Sequence, residues 1–366
     1  MILRRFPMLC ALALTALQAL GQVGTPLSAD SLAQRYDSLA RSQDSLTLRL
    51  ASLPQRLDSV LTASPLSKTV QVGIMVWDLR TDSCLYSRGE TTVVRPASTM
   101  KLLTAVAALQ ALGDSAMVAA DSLNQKLVVD FSMKDTVALG EGWCWDDDNP
   151  RLNTTDSTVT PHPLVWLLTP MLKESNNLAA ETVFYTLAAR QEAARQQEQK
   201  AKQAARKTKR RGNKDPQPQP VGSKQAQREV ERFIHSLVDY TPWLQLSCGD
   251  MPLYRVADGS GLSLYNYVTP QLLVACLRYA WLTDFIRPAL CQNLPVAGID
   301  GTLAERMKHG AVTGRVWAKT GTLSGVSSLA GYFPDRPLAF AIVCNGAMRQ
   351  RPARNLIDSL CEEFGK

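Results

Sequence analysis

Apolar and polar positions alternate with a period of two near both ends of the chain, and helical spacing dominates between them. The segment TVQVGIMVWDL from Thr69 predicts a strand, and CLYSRG after the turn at 80–83 predicts its return strand. Three more strands are predicted by RVWAKTGTL, SSLAGYFP and PLAFAIVCN, and a closing helix by ARNLIDSLCEEF. We therefore expect an α/β (α+β) fold with a five-stranded, largely antiparallel sheet, built from both ends of the chain and covered by helices.

The first 64 residues have a different pattern. Two arginines, an apolar stretch and then small residues follow the order of a secretory signal, so we expect residues 1–21 to be removed on export to the periplasm or cell envelope. A membrane anchor is the alternative, but the apolar stretch is shorter than the roughly 20 residues that a membrane span needs, and no other segment could cross a bilayer. An Asp-Ser-Leu repeat in residues 22–64 predicts an amphipathic helical extension, interrupted at Pro54, that packs on the main domain or pairs with a copy of itself. Packing is favoured, because the stripe covers few heptads.

Composition and cysteine usage exclude several classes of protein. With 366 residues, 45% of them hydrophobic, the chain can bury a sizeable core. The eight cysteines occur singly, one of them inside the signal, so no zinc site or redox motif is expected and at least one thiol stays unpaired. Cys84, Cys276 and Cys344 have apolar neighbours and are expected to be small core residues. The three histidines lie in no motif, so a serine nucleophile would need another base.

A serine and a lysine lie three residues apart in RPASTMKLLTAVAAL, at the start of an apolar helical run. Three residues are nearly one helical turn, so the side chains of Ser98 and Lys101 lie on one face within reach of each other. Ser98 could be only a helix cap, and on spacing alone that interpretation is favoured. The alternative is a nucleophile with a lysine base.

Two further motifs follow in the chain. Ser175 and Asn177 form a Ser-x-Asn at a break between two helical runs, and Lys319-Thr320-Gly321 lies on a predicted edge strand. Each alone has a structural explanation, a cap for the first and a bulge or a close backbone approach at glycine for the second. The order Ser-x-x-Lys, Ser-x-Asn, Lys-Thr-Gly is much rarer than any single motif. The set indicates an active-site serine enzyme of the penicillin-recognising type.

Two more stretches narrow this assignment. VADGSGLSLYN, and GIDGTLAERM leading to GRVWAKTGTLSGVSSLAGYF, closely resemble the D-alanyl-D-alanine carboxypeptidase/endopeptidases, the class C low-molecular-mass penicillin-binding proteins. The similarity spans roughly 72–363, with one gap and one insertion. It implies a serine β-lactamase/transpeptidase-like fold for residues 65–366, interrupted by an insertion at 190–223.

The resemblance also implies roles for the motif residues. Ser98 is the expected nucleophile, and Lys101 its base once burial or a second cation has lowered the usual lysine pKa of about 10.4. Ser175 is expected to relay a proton to the leaving amine, and Asn177 to hold both the substrate peptide and the lysine. Lys319 is expected to supply the second cation and to steady the substrate's terminal carboxylate. The residues expected to bind substrate are Thr320, Gly321, Thr322, Asp258 and Ser260, with the N–H groups of Ser98 and Thr322 as the oxyanion hole.

The implied substrate is the D-Ala-D-Ala end of a peptidoglycan stem peptide, or a D-amino acid cross-link. β-Lactams are expected to acylate Ser98 as substrate mimics, and no metal or organic cofactor is implied. Two alternatives remain. One is a serine β-lactamase, although no convincing deacylating glutamate segment lies between Ser175 and Lys319. The other is a non-catalytic cell-wall-binding module with the same fold, which the complete set of motif residues disfavours.

The chain departs from the family pattern between the first two motifs. Only 73 residues separate Lys101 from Ser175, where full-length members usually carry large extra domains. GEGWCWDDDNP, residues 140–150, resembles the remnant where such an insertion rejoins the catalytic domain, and its two tryptophans are expected to pack in the core or a lid. The loss puts cross-link cleavage, dimerisation and cell-wall docking in doubt.

A basic segment interrupts the predicted catalytic domain. Residues 190–214 contain ten basic and two acidic residues, so the net positive charge of this segment exceeds the +7 of the whole chain. A proline-rich stretch follows it. Such a segment has too little apolar surface to offset its ordering entropy, so we expect a partly helical, then disordered arm. It is either a tolerated insertion or a surface for anionic envelope polymers. Nucleic acid is not an expected partner, because the arm has almost no aromatic residues to stack on bases and the protein is exported.

Overall fold

The computed structural model of the protein describes residues 50–114, 116–119, 161–206 and 223–366. The predicted signal, residues 22–49 of the predicted extension, residues 140–150 and residues 207–222 lie outside these ranges. The chain forms two compact units, Met1–Ser52 and Leu53–Lys366, and almost all of the described residues belong to the second. None of the described helices is both long and apolar enough to cross a membrane.

The described strands and helices alternate along the second unit. The strands are β1 (Gln71–Asp78), β2 (Ser83–Arg88), β3 (Met117–Ala119), β4 (Pro161–Pro163), β5 (Ser247–Cys248), β6 (Met251–Pro252), β7 (Trp317–Leu323), β8 (Val326–Phe333) and β9 (Leu338–Asn345). The helices are α1 (Leu53–Ala63), α2 (Met100–Leu112), α3 (Leu164–Leu172), α4 (Asn177–Arg206), α5 (Ser223–Tyr240), α6 (Pro270–Leu282), α7 (Ile286–Cys291) and α8 (Gln350–Gly365).

The main sheet has five strands in the order β2-β1-β9-β8-β7. Every neighbouring pair is antiparallel, and β9, from the end of the chain, lies beside β1 with Gln71 opposite Asn345. The expected five-stranded antiparallel sheet built from both ends of the chain is confirmed. β7, which carries the Lys-Thr-Gly motif, is an edge strand, as its sequence predicted.

The two faces of the sheet pack against different helices. Alternate residues of β9 point to opposite faces, because side chains of a strand have a period of two. Ala341 belongs to the large core formed with the buried faces of α2, α3 and α6. Its neighbour Phe340 contacts Phe364 of α8, with ring centroids 5.0 Å apart. Burial on both faces explains why β8 and β9 are almost continuously apolar.

Helix α1 belongs to the unit that contains the sheet, whereas the sequence analysis drew the domain boundary at residue 64. Its leucine stripe, Leu53, Leu57 and Leu61, is fully buried. The Asp58 carboxylate accepts a 2.6 Å hydrogen bond from Tyr86 of β2. Residues 50 and 51 are helical, Ser52 lies in a turn and α1 begins at Leu53, so the helix is interrupted next to Pro54, which lies in the first turn of α1.

Helix α4 continues into the basic segment. The helix is unbroken from Asn177 to Arg206, so the first part of the segment that begins at Arg190 is helical. Arg195 pairs with Glu229 of α5, a carboxylate that is buried. This ion pair ties the start of the basic segment to the neighbouring helix.

The described cysteines differ from expectation at one position. Cys276 and Cys344 are buried, as their apolar neighbours predicted. Cys84 is exposed, because it lies on the edge strand β2, whose outward residues face solvent. All six cysteines in the described part of the chain are free thiols.

Candidate active site

Ser98 lies in a short 3₁₀ turn, Ala97–Thr99, immediately before α2. Ala97 has a φ of +49°, a left-handed conformation that costs energy for a residue with a Cβ. No side-chain hydrogen bond caps α2. The Oγ of Ser98 instead accepts a hydrogen bond of 2.9 Å from Nζ of Lys101. The capping interpretation of Ser98 is therefore wrong, and the strained turn presents its hydroxyl to the lysine.

Two glycines allow other segments to close on this turn. A Cβ on Gly261, whose φ is +82°, would lie 1.9 Å from the carbonyl oxygen of Ala97. A Cβ on Gly321 of β7 would lie 2.7 Å from the carbonyl oxygen of Pro96. The glycine of the Lys-Thr-Gly motif thus permits a close backbone approach, one of the two structural roles expected for it.

Lys101 is at the centre of the site. It is fully buried, and its Nζ donates to Ser98 Oγ, to Asn177 Oδ1 at 2.8 Å and to the carbonyl oxygen of Ser260 at 2.7 Å. Burial lowers the pKa of Lys101 to about 7, although the negative charges of Asp258 and Glu181 oppose this shift. A lysine with such a pKa is neutral in a large fraction of molecules at neutral pH and can accept a proton.

Lys319 of β7 is a second buried lysine near Lys101. Its Nζ donates to the carbonyl oxygen of Thr320 at 2.9 Å. Burial, and then the charge of Lys101, hold the pKa of Lys319 well below its ordinary value. The sequence analysis expected burial and the charge of Lys319 to lower the pKa of Lys101. Burial does lower it, whereas Lys319 does not contribute to the shift.

The Ser-x-Asn motif lies at the start of α4. Asn177 is the first residue of the helix, and the cap is Asn176, whose Oδ1 accepts from the N–H of Ala179 at 2.9 Å. Ser175 precedes them in a half-buried turn with a φ of +61°. Within the described ranges no hydrogen bond joins Ser175 to Ser98 or Lys101. The structure thus brings Asn177 to the lysine, and the relay role of Ser175 stays a prediction.

Asp258 and Ser260 support the site from inside the fold. The Asp258 carboxylate accepts 2.6 Å hydrogen bonds from the N–H groups of Gly261 and Ser263 and is 2% exposed. Ser260 is fully buried, and it is its carbonyl that contacts Lys101. The loop folds these two side chains inward, and their expected contact with substrate stays a prediction.

Glu181 is a site residue that the sequence analysis missed. It lies one helical turn after Asn177, and its carboxyl accepts from the N–H groups of Gly259 at 3.1 Å and Ser260 at 2.8 Å. Burial, together with the negative charge of Asp258, raises the pKa of Glu181 to about 8. The spacing of four residues from Asn177 in an apolar helical stretch was the available signal, since residues i and i+4 share one helix face.

The outer edge of β7 borders the site. Among the described residues, this edge is paired only at Trp317, by a single bridge to Val296. Thr320 donates from its Oγ1 to Oγ1 of Thr302 at 2.7 Å, whereas Thr322 is exposed. From Lys319 onward no described strand pairs with this edge, so an extended peptide could add to it, although the carbonyl oxygens of Thr320 and Leu323 already accept side-chain hydrogen bonds.

Curated relatives match part of the chain. A D-alanyl-D-alanine carboxypeptidase of Actinomadura sp. strain R39 is 48% identical over 96 residues, which cover 24% of this chain and 18% of that protein. The D-alanyl-D-alanine carboxypeptidase DacB of Haemophilus influenzae is 36% identical over 96 residues, covering 25% and 20%. The matched segments thus span about a fifth of the length of these relatives.

Solved structures share the fold at low sequence identity. Penicillin-binding protein 4 of Haemophilus influenzae superposes with a TM-score of 0.55 at 18% identity, covering 87% of this chain and 99% of that one. A β-lactamase from Sphaerobacter thermophilus gives a TM-score of 0.50 at 12% identity, covering 85% and 95%. The fold expected from the sequence is confirmed, and at these identities the comparison establishes the fold alone.

A family profile matches more of the chain than either of the two curated relatives does. The profile described as the D-Ala-D-Ala carboxypeptidase 3 (S13) family matches residues 53–125 and 235–363, together more than half of the chain. The first range includes Ser98 and Lys101, and the second includes the loop of Asp258 and the strand β7. The chain therefore belongs to the D-Ala-D-Ala carboxypeptidase 3 (S13) family.

Proposed function

We propose that this protein is an exported serine-type D-Ala-D-Ala carboxypeptidase that forms an acyl-enzyme on Ser98. The observation that carries the proposal is the contact of 2.9 Å between Ser98 Oγ and Nζ of Lys101, a buried lysine whose pKa is lowered to about 7. A serine hydroxyl becomes a good nucleophile only when a nearby base takes its proton. Membership of the S13 family supports the same reaction.

The chemistry follows from this contact. Neutral Lys101 takes the proton of Ser98 as Oγ attacks the carbonyl carbon of the penultimate residue. The N–H groups of Ser98 and Thr322 stabilise the oxyanion that forms. The C–N bond then breaks, Ser175 relays the proton from Lys101 to the leaving amine, and D-alanine departs. Neutral Lys101 then takes a proton from the attacking water and gives it to Oγ of Ser98 as the ester bond breaks, which regenerates the free enzyme.

The proposed substrate is the D-Ala-D-Ala end of a peptidoglycan stem peptide. An extended peptide can add to the free edge of β7, which places its last residues beside Lys319 and Thr322. Two curated relatives are named D-alanyl-D-alanine carboxypeptidases. We favour carboxypeptidase over cross-link cleavage, because the chain has only 73 residues where full-length members carry extra domains.

A serine β-lactamase would need a group that activates water for rapid deacylation. Glu181 is a buried carboxyl in this region, and it already accepts hydrogen bonds from two backbone N–H groups of the loop at 259–260. It is therefore engaged in holding the loop. Long-lived acylation by β-lactams supports a carboxypeptidase, and rapid β-lactam turnover would favour the lactamase.

Intact-protein mass spectrometry with benzylpenicillin tests the proposal. We expect one covalent adduct on the wild type, none on Ser98→Ala, and a normal adduct on Ser247→Ala, which removes an exposed hydroxyl from β5. The wild type should also release D-alanine from an acylated D-Ala-D-Ala peptide. An adduct on Ser98→Ala would overturn the assignment of the nucleophile. A folded wild type that binds the peptide without releasing D-alanine would indicate a non-catalytic module.

We further propose that the basic segment at 190–214 holds the enzyme to anionic polymers of the cell envelope. It has ten basic and two acidic residues, so its net charge exceeds that of the whole chain. The remaining protein is therefore close to neutral. Clustered positive charge attracts polyanions without a shaped binding site.

A further inference from the structure

Arg354 places a guanidinium beside the outer strand of the site. It lies in α8 and is half-buried. Its Nη2 donates to Oε1 of Gln350 at 3.0 Å and, more weakly, to Oγ1 of Thr322 at 3.4 Å. In the described part of the chain no carboxylate lies within ion-pair distance of this guanidinium. Arg354 therefore holds a positive charge without a protein counter-charge at the end of β7.

The position of this guanidinium is fixed by the first turn of α8. Gln350 donates from its Nε2 to the carbonyl oxygen of Leu323 at 3.2 Å, and its Oε1 accepts from Arg354. The glutamine thus joins the last residue of β7 to the arginine. A held guanidinium loses less side-chain entropy on binding than a free one.

The sequence analysis expected the positive charge of Lys319 to bind the substrate's carboxylate, but Lys319 is poorly placed for this role. Its side chain is fully buried and donates to the carbonyl oxygen of Thr320. Burial and the charge of Lys101 disfavour its charged form, as its lowered pKa records. A guanidinium, by contrast, keeps its charge in proteins and matches the planar geometry of a carboxylate.

Thr320 and Thr322 are two residues apart on β7 and therefore lie on one face of the strand. Lys319 and Gly321 lie on the other face, toward the turn of Ser98. The hydroxyl of Thr322 is the one that Arg354 contacts. The guanidinium therefore shares the face of the strand that carries both threonine hydroxyls.

We propose that Arg354 binds the terminal carboxylate of the substrate together with the hydroxyl of Thr322, and so selects peptides with a free C-terminus. This inference rests on the proposed carboxypeptidase function and adds a specificity residue to it. Charge-assisted, planar pairing of a guanidinium with a carboxylate is stronger and more directional than a contact with hydroxyls alone. Arg354 takes no part in proton transfer, so its loss affects binding and selectivity rather than the identity of the nucleophile.

The test compares two substrates that differ only at the C-terminus, an acylated D-Ala-D-Ala peptide and the same peptide ending in D-alaninamide. For the wild type, kcat/KM for the carboxylate should exceed that for the carboxamide. Arg354→Ala should lower kcat/KM for the carboxylate by about 10- to 100-fold, the range of a lost charge-assisted hydrogen bond, and leave the carboxamide nearly unchanged. Arg354→Lys should recover part of the loss. The matched control is Arg351→Ala, an exposed arginine one turn earlier on α8, which should behave as the wild type.

Equal losses for both substrates in Arg354→Ala would overturn the proposal, because they would indicate a structural role for the arginine. An unchanged preference for the carboxylate would overturn it too. Circular dichroism and the melting temperature establish that each variant is folded. The proposed function is judged separately, by the wild type alone: if it neither releases D-alanine nor forms a penicillin adduct on Ser98, the function fails whatever the Arg354 variants do, and the carboxylate role fails with it.

Discussion

The carboxyl of Glu181 and the backbone N–H of Ser260 are joined by a hydrogen bond of 2.8 Å, and both groups are buried. The carbonyl of Ser260 accepts from Nζ of Lys101 at 2.7 Å. One residue of the loop thus connects a buried carboxyl to the general base. We infer that Glu181 positions Lys101, the proposed base, through this residue.

We predict that Glu181→Gln and Glu181→Ala differ sharply. Burial and the negative charge of Asp258 raise the pKa of Glu181 to about 8, so its charged form is disfavoured, and glutamine keeps an acceptor oxygen for the same N–H groups. Glu181→Gln should therefore acylate with penicillin at nearly the wild-type rate. Alanine leaves the N–H groups of Gly259 and Ser260 without a partner, which costs about 1–3 kcal/mol for each buried donor.

Glu181→Ala should lose at least tenfold in acylation rate and unfold at lower urea concentration, as measured by stopped-flow acylation and urea titration. Equal acylation rates for the two variants would contradict the positioning role. A loss of stability in Glu181→Ala without a loss of rate would limit Glu181 to a structural role.

The rate of acylation should rise with pH through a midpoint near 7. Lys101 accepts a proton only when it is neutral, so activity is gained as the lysine deprotonates. Burial lowers its pKa to about 7, well below the ordinary lysine value, while the negative charges of Asp258 and Glu181 oppose the shift. Lys319 is the other titratable group on the facing strand, and its charged form is disfavoured. Second-order acylation constants measured from pH 5 to pH 10 give the midpoint, and a midpoint above pH 9 would exclude Lys101 as the base.

A methyl group on Gly261 should disable the site. Gly261 has a φ of +82°, and a Cβ there would lie 1.9 Å from the carbonyl oxygen of Ala97, so the turn that holds Ser98 must shift. Gly261→Ala should lower acylation at least 100-fold, because a misplaced nucleophile loses its alignment with the substrate.

Gly249→Ala is the matched control, because its φ is +57° and nothing lies within 4 Å of the added Cβ. It should cost only the backbone strain of about 1–2 kcal/mol, measured by urea unfolding, and keep the wild-type acylation rate. Similar acylation in both alanine variants would show that the close approach of Gly261 to Ala97 is not needed for activity.

The sheet and the motif residues were accessible from the sequence for physical reasons. Period-two alternation located β1, and short apolar runs bounded by turns located the three C-terminal strands; both are local signals. The inward direction of the Asp258 and Ser260 side chains could not be predicted, because the direction of a loop side chain depends on the segments that pack around it. No local sequence pattern indicated that Arg354 lies near the site, because only the tertiary fold brings α8 beside the end of β7.

Burial was expected to lower the pKa of Lys101, but the extent of that burial could not be read from the sequence. Spacing indicated that Ser98 and Lys101 share a helix face, and the structure confirms their contact. Spacing could not show that α2 is buried over ten consecutive residues from Met100 to Leu109. That burial, rather than a neighbouring cation, is what shifts the lysine.

Neutralising the basic segment should release the enzyme from envelope polymers without affecting its chemistry. Arg195 pairs with buried Glu229, so the variant leaves it in place and replaces with glutamine the eight lysines and arginines from Lys200 to Lys214. Its hydrolysis of a small soluble peptide should equal that of the wild type. The matched control exchanges lysine and arginine at the same eight positions, which keeps the charge.

Sedimentation with purified cell envelope at low and high salt gives the measurement. The wild type and the charge-preserving control should sediment at low salt and be released at high salt, because exposed charges are screened beyond about 10 Å at 0.1 M salt. The glutamine variant should stay in the supernatant at both salt concentrations. If all three proteins sediment equally at low and high salt, the basic segment is only a tolerated insertion, since a long surface loop adds little to the entropy of folding.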